Sequence, residues 1–180
     1  MHGLQGKAKP RLGGINIYTT KSGRPISYYG EEYASDIQRK SGNGNIIYSI
    51  DQLFGILLEV WCRDTAYPSC QNDYDRENDP TYGQCAITAT LVYDMFGGTI
   101  HKVKVDGGGT HYFNKINEHY IDLTRDQFDL YDIPLEYDRN ETIPREYCGK
   151  NANTLKRYHL LVHLISEWLT AHKKVSDAAD

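Results

Sequence analysis

The chain predicts an α+β fold, and three stretches carry that expectation. Ile50, Leu53, Phe54, Leu57, Leu58 and Trp61 recur at three- and four-residue spacing, the pattern of an amphipathic helix. Cys85 to Phe96 carries no charge between Cys85 and Tyr93 and closes on Gly97 and Gly98, as a helix buried nearly all round does. Thr110 to Ile116 and His119 to Leu123 are rich in Tyr, Phe and Ile and flank Asn117 and Glu118, as two strands flank a short turn. Together these pieces make a buried helix, starting at Cys85, packed on an antiparallel sheet.

The remaining elements follow in chain order. Residues 1–14 carry glycines and lysines without periodicity and read as loose chain. Ile15 to Thr19 and Pro25 to Tyr29 flank Lys21, Ser22 and Gly23 as a hairpin; Glu31 to Lys40 reads as a short helix, after which Gly42 and Gly44 break the chain. Residues 1–45 are thus an accessory segment and 46–180 the main domain, within one globular unit. Ser49 and Gln52 form a capping box for the first long helix, where Gly55 leaves room for the Cys85 helix to approach.

Arg63 to Tyr82 reads as a long loop, with Pro68, Pro80 and the alternating acids Asp73, Asp75, Glu77 and Asp79. A calcium loop would need glycine where Asn78 stands and glutamate where Gln84 stands, so a solvated loop is expected, forming one wall of the cleft ahead of Cys85. Val103 to Val105 leads through Asp106 and three glycines into the Thr110 strand. Thr124 and Gln127 form a second capping box for a short helix through Leu130, and a loop interrupted by Pro134 and Pro144 runs to Cys148. A final helix from near Asn153 sets Leu155, Tyr158, Val162, Ile165 and Leu169 along one stripe, with Trp168 beside it.

Three residue types in this order point to nucleophilic chemistry. Cys85 sits in the first turn of its helix, where unpaired backbone N–H groups favour a thiolate. A turn of two or four residues around Asn117 and Glu118 sets His111 opposite Thr124 and Asp122 opposite Phe113, so His111 and Asp122 share a face as diagonal neighbours about 7–8 Å apart at the backbone. Side chains of that length close the gap to a hydrogen bond, whereas a three-residue turn would send them to opposite faces. A carboxylate then orients the imidazole, and the imidazole serves the thiol. Gln84 and Asn114 are candidate supporting or oxyanion residues, although Gln84 projects to a different side of the helix start. The plain alternatives are an inert core cysteine and an aspartate that merely precedes a cap at Thr124.

From Leu53 to about Leu164 the chain also resembles the YunG-like family of uncharacterised bacterial proteins. The resemblance rests on Trp61, on Asp64 to Pro68, on Asn78 to Pro80, on Gly83, Gln84 and Cys85, on Phe96 to Gly98, on His111 to Asn114, and on Ile121 to Thr124 with Gln127 and Phe128. It marks these blocks without naming a reaction, and the Cys, His and Asp positions fall within them. In the order Cys, His, Asp and in their context the chain further resembles papain-like and transglutaminase-like enzymes, which implies a core of that type. It departs from the papain pattern where a glutamine precedes the nucleophile, since Asn78 and Asp79 occupy that region.

Composition excludes several functions. With 180 residues, a net charge of −4 and no basic cluster beyond Lys7, Lys9 and Arg11, the chain offers no nucleic-acid groove. No window approaches the ~18 apolar residues of a membrane span, and the start has no apolar core for a signal peptide, so a cytoplasmic protein with reduced thiols is expected. Cys62 and Cys70 lack a second pair at zinc-finger spacing, and His159 is followed by Leu160 where a zinc protease carries glutamate, so His159, His163 and His172 read as helix-surface residues. Fifteen tyrosines suit half-exposed sheet and loop surface, with a substrate cleft as the alternative use. The expectation is a cysteine-dependent hydrolase or acyl transferase without cofactor or metal, acting on an amide, isopeptide or thioester carbonyl of a protein, peptide or acylated small molecule. The alternatives are a non-catalytic binding or regulatory module of the same fold, and a metal site joining Cys85 to His111; the oligomeric state stays open.

Overall fold

The structure, a computed structural model, describes residues 17–40 and 47–176. The loose stretch expected for residues 1–14 and the break at Gly42 and Gly44 lie outside the described residues. The architecture is α+β: a four-stranded antiparallel sheet, in the order β5 (His119–Ile121), β4 (Thr110–Ile116), β3 (Thr99–Lys104) and β6 (Glu141–Ile143), flanked by helices, with a two-stranded ribbon at the N-terminal side. The ribbon is β1 (Tyr18–Thr19) and β2 (Pro25–Ile26), followed by a single 3-10 stretch at Glu31–Asp36 in place of the longer helix expected there.

Helix α1 (Ile50–Val60) starts at the expected capping box: Ser49 Oγ accepts from Gln52 N at 3.1 Å while Gln52 Oε1 accepts from Ser49 N at 3.2 Å. Its apolar stripe, Ile50, Leu53, Phe54 and Leu57, is fully buried and centres the main core. Gly55 makes room for the N-terminal ribbon instead of the Cys85 helix, because a Cβ there would meet the Tyr18 ring at 3.1 Å. Tyr18 and Tyr28 pack against Phe54, and Ile26, Ala34 and Ile37 join the same core, so the described part of the N-terminal segment is built into the body of the protein.

Helix α2 (Cys85–Phe96) packs on the sheet formed by β3 (Thr99–Lys104), β4 (Thr110–Ile116), β5 (His119–Ile121) and β6 (Glu141–Ile143). Gly98 is obligatory at the exit of α2: its φ is 74° and an added Cβ would lie 2.2 Å from the Lys115 carbonyl oxygen. Ile100, Ile143 and Tyr112 cluster with Ala89 of α2, and Asn114 Nδ2 donates to the Ala89 carbonyl, so this face of the sheet meets the helix. Strand alternation turns Val103, His111 and Phe113 to the other face, where Phe113 meets Tyr120 and Tyr137.

Three local expectations change. The stretch after Pro134 contains β6, paired with β3 through Ile100 and Ile143, and α4 (Glu146–Gly149). A three-residue edge strand between prolines leaves too little alternation to read. The helix after Asp122 is α3 (Asp126–Asp129), preceded by Arg125; Thr124 does not cap it, because its hydroxyl and N–H turn back to Asp122. Helix α5 (Ala152–Ser176) begins under Asn151, whose Oδ1 accepts from Asn153 N and Thr154 N; of the expected stripe Ile165 is buried and Tyr158 and Leu169, with Trp168 beside them, pack against the core. Val162 is exposed instead, because the adjacent Leu161 takes the inward place, and Arg157 is buried as well.

Candidate active site

Cys85 opens α2, and the first-turn N–H groups beside it lack intrahelical acceptors. The approach to it is tightly fixed. Gly83 has φ 72°, and a Cβ on it would sit 2.8 Å from Cys70 Cβ and 3.0 Å from Tyr67 N. Its carbonyl accepts from Tyr67 N at 2.8 Å, and its N–H donates to Gln127 Oε1 at 3.4 Å. The residues ahead of the thiol are therefore clamped between the 63–82 loop and α3.

His111 comes from β4 and Asp122 from the residue after β5. Asn117 and Glu118, at φ 48° and 67°, make the two-residue turn that the right-handed twist of a hairpin favours, and Asn114 pairs with Ile121. That register puts His111 and Asp122 together: His111 Nε2 lies 2.6 Å from Asp122 Oδ2, with both side chains 1% exposed. Asp122 then leaves the β4 ladder and pairs with Tyr29, its N–H to the Tyr29 carbonyl at 3.0 Å and its carbonyl to Tyr29 N at 3.1 Å.

The carboxylate is saturated with donors. Oδ2 also accepts from Tyr137 Oη at 2.7 Å, and Oδ1 accepts from Thr124 N at 3.0 Å and Thr124 Oγ1 at 3.1 Å. Burial acts to raise the Asp122 pKa, but the charge and hydrogen bond of His111, with Tyr137 and Thr124 behind them, hold it below the ordinary carboxylate value. Burial likewise acts to lower the His111 pKa; the Asp122 charge and hydrogen bond, joined by the Cys85 thiol, outweigh it and raise His111 above its ordinary value. The pair is thus a buried imidazolium and carboxylate near neutrality.

With Nε2 given to Asp122, the other ring nitrogen, Nδ1, is buried without a hydrogen-bond partner, and Cys85 contributes to raising the His111 pKa. Cys85 and His111 open together onto a cavity of about 850 Å³ at the end of the sheet where β4 begins. Its walls are the 63–82 loop through Tyr67 and Cys70, the glycine turn through Gly108 and Gly109, and α5 through Arg157. Tyr82, Tyr112 and Tyr147 also line it, so the cleft claims tyrosines that read as ordinary surface in the sequence.

Gln84 and Asn114 do not line this cavity. Gln84 is fully buried with Nε2 on the Cys62 carbonyl, and Asn114 ties β4 to α2, so both amides hold the scaffold. Two other amides line the cavity: Asn151, whose Oδ1 caps α5, and Gln127, whose Nε2 donates to the Thr124 carbonyl at 2.9 Å and retains a second proton. The offset of Gln127 from Thr124 mimics a capping box and concealed this position. Tyr137 had no sequence signal at all. Among the described residues no group of three or more His, Cys, Asp or Glu side chains could hold a metal ion, and no helix is long and apolar enough to cross a membrane. In the acidic loop, Asp75 folds back on Glu77 N, Asn78 N and Asn78 Nδ2.

Comparison with known proteins gives a consistent family. The family model described as YunG protein matches residues 49–170. The chain is similar to "Uncharacterized protein YunG" of Bacillus subtilis (strain 168), 44% identical over 86 residues that make up 47% of this chain and 69% of the relative. No solved structure matches.

Proposed function

This chain belongs to the YunG family, and we propose that it is a cysteine-dependent acyl-transfer enzyme with Cys85 as nucleophile, His111 as proton carrier and Asp122 as orienting carboxylate. The observation that carries the reading is the buried His111 and Asp122 pair at 2.6 Å, whose second ring nitrogen is unpartnered and whose imidazole lines one cavity together with Cys85. A histidine and an aspartate that merely fill a core have no need of an imidazole edge turned to a thiol on a helix N-terminus. The order and the elements resemble a papain-like or transglutaminase-like core.

The chemistry follows from the charges. A thiol is nucleophilic as the thiolate, so the Cys85 proton passes to His111 as the reaction begins. The thiolate attacks a carbonyl carbon of an amide, isopeptide or thioester. The Cys85 N–H and the spare proton of Gln127 Nε2 stabilise the oxyanion, a contact commonly worth about a hundredfold in rate. His111 gives its Nδ1 proton to the departing amine or thiol, then takes one from the incoming water or amine as the acyl-enzyme breaks. Asp122 keeps Nε2 protonated throughout. Hydrolysis, deamidation and transamidation share this intermediate and differ only in the acceptor.

The test is the pH dependence of Cys85 alkylation by iodoacetamide, followed by peptide mass spectrometry, in the parent, His111→Ala and His111→Gln. Rapid alkylation of Cys85 persisting below pH 7, and lost in both variants, is the expected result. Buried Cys148, whose thiol is pushed up chiefly by burial, serves as the slow internal control. An inert Cys85, or one with the same profile in all three proteins, would leave a non-catalytic binding module of this fold.

A further inference from the structure

Arg157 lies on α5 with 3% of its surface exposed, and it lines the same cavity as Cys85. A guanidinium stays charged at any physiological pH, and burying one is costly unless a counter-charge meets it. Among the described residues no carboxylate comes within ion-pair distance of Arg157. Its partners are all neutral: Nε donates to Asn153 Oδ1 at 2.8 Å, Nη1 to the Thr65 carbonyl at 3.1 Å and Nη2 to Thr154 Oγ1 at 3.3 Å. Those bonds fix the fork and use three of its five protons, leaving one on each terminal nitrogen. The Tyr67 ring lies 5.6 Å from the guanidinium carbon and restricts it from the loop side.

The cavity as a whole repeats the pattern. Lys150 joins Arg157 in its lining and, among the described residues, no aspartate or glutamate does, in a chain whose acids outnumber its bases. The acidic loop that forms one wall contributes Tyr67, Ser69 and Cys70 and keeps its carboxylates elsewhere. This is the electrostatics of a site that awaits a negative group.

We propose that Arg157, with Lys150 at the rim, binds an anionic group of the substrate, so that the acyl donor or the chain bearing it carries a carboxylate or phosphate close to the carbonyl that Cys85 attacks. The proposal rests on Cys85 being the nucleophile of this cavity and names the substrate class it acts on. Arg157 presents a planar fork, which a carboxylate or a phosphate meets with two oxygens at once. A fixed anion anchor sets the carbonyl at the thiolate by orientation, which is where much of the rate of acyl transfer comes from.

The experiment compares two alkylating reagents of nearly equal size and opposite charge character on the full-length chain. Iodoacetate carries a carboxylate and iodoacetamide does not, and a thiolate by itself disfavours the anion. The ratio of their rates at Cys85 is read in the parent, Arg157→Gln and Arg157→Lys. The expected result is a parent ratio above one that falls about tenfold or more in Arg157→Gln, the loss of one charge-assisted contact, and recovers in part in Arg157→Lys. A ratio below one in the parent, or one unchanged in Arg157→Gln while both reagents slow together, overturns anion recognition and leaves Arg157 acting on the thiolate alone. Isothermal titration with succinate and with inorganic phosphate decides the matter independently of thiol reactivity. Binding of either that is lost in Arg157→Gln sustains the proposal even if Cys85 proves unreactive, and the stronger ligand of the two identifies the anion. Absence of binding by both, in a parent whose Cys85 reacts with iodoacetamide at the higher rate, refutes the proposal and spares the nucleophile.

Discussion

Asp122→Asn is the most revealing single change in this protein, because it removes one charge from a buried pair and leaves the shape intact. Thr124 N and Oγ1 both donate to Oδ1, so the carbonyl oxygen of the asparagine keeps that side and its NH2 takes the place of Oδ2. There it faces His111 Nε2 and the Tyr137 hydroxyl, two donors in the parent. The imidazole must give up its Nε2 proton to accept from the amide, which leaves the remaining proton on Nδ1 and removes the base that faces Cys85. Breaking a buried ion pair by neutralising one partner costs about 3–5 kcal/mol, and both side chains here are almost completely shielded from water. For a chain of this size that is a fall in Tm of roughly 6–20 °C.

The pH dependence gives the sharper test. In the parent, the raised His111 pKa contributes stability that is fully present below about 6.5 and lost as pH rises through the folded value. The lowered Asp122 pKa contributes stability present above about 3.9 and lost as pH falls through its folded value. Between about pH 4 and 6.5 both contributions are complete, and above that window stability declines. In Asp122→Asn burial, the largest single influence on His111, is opposed only by Cys85, so the native state binds fewer protons than the unfolded one below about 6.5 and stability rises with pH there. The parent curve is thus flat to about pH 6.5 and falls above it, whereas the variant curve rises to about 6.5 and is flat above, and the cost of the substitution is largest near pH 5. Urea unfolding followed by tryptophan fluorescence, with Trp61 fully buried as reporter, measures this across pH 5 to 9. A cost under about 1 kcal/mol, or parallel pH curves for the two proteins, would refute the buried ion pair.

Tyr137→Phe removes one of the donors on Asp122 while keeping the ring against Phe113 at 4.7 Å and Tyr29 at 4.4 Å, so a loss of about 1.5–3 kcal/mol is expected from urea titration. Gly83→Ala forces a side chain into a φ of 72° and against Cys70 and the Tyr67 amide; it should cost about 1–3 kcal/mol and slow Cys85 alkylation more than it destabilises the fold globally. Asp79, held up to about 6 mainly by burial, and further by Asp126, is a native carboxyl that holds its proton longer than the unfolded chain does. Stability should therefore fall as pH rises from about 4 to 6, and Asp79→Asn should gain up to about 3 kcal/mol at pH 7 with nothing gained at pH 3.5. An equal gain at both pH values would show that the carboxyl is unperturbed in the native state.

The elements whose information is local were legible in the chain. The Ser49 and Gln52 box, the apolar stripe of α1, the glycine stop after α2 and the two-residue turn at Asn117 and Glu118 each depend on residues within a few positions of one another. From that turn alone followed the register that joins His111 to Asp122, because side-chain facing in a hairpin has a period of two. What escaped depends on distant chain. Tyr137 reaches Asp122 from a loop interrupted by prolines, and Arg157 is buried on a helix with no local pattern to mark it. Thr124 and Gln127 have the spacing of a cap, yet Thr124 turns to the neighbouring Asp122 carboxylate and Gln127 accepts from Gly83, 44 residues away in the chain.

The placement of Asp122 links these observations. A carboxylate that must stay ionised in a buried site needs several donors, and a β-ladder cannot supply them because its own N–H and C=O groups are spent on the neighbouring strand. β5 ends at Ile121, one residue short, which frees Asp122 to take donors from Thr124 and Tyr137 as well as His111. Its backbone would then be unpaired and buried, and Tyr29 satisfies it from the N-terminal segment, outside the stretch matched by the family. The ribbon and Tyr28 anchor that segment on Phe54 of α1, the helix at the centre of the core. A chain of contacts thus runs from α1 through residues 18–29 to Asp122 and the imidazole it holds, which gives the N-terminal segment a share in positioning His111 although none of its described residues lines the cavity.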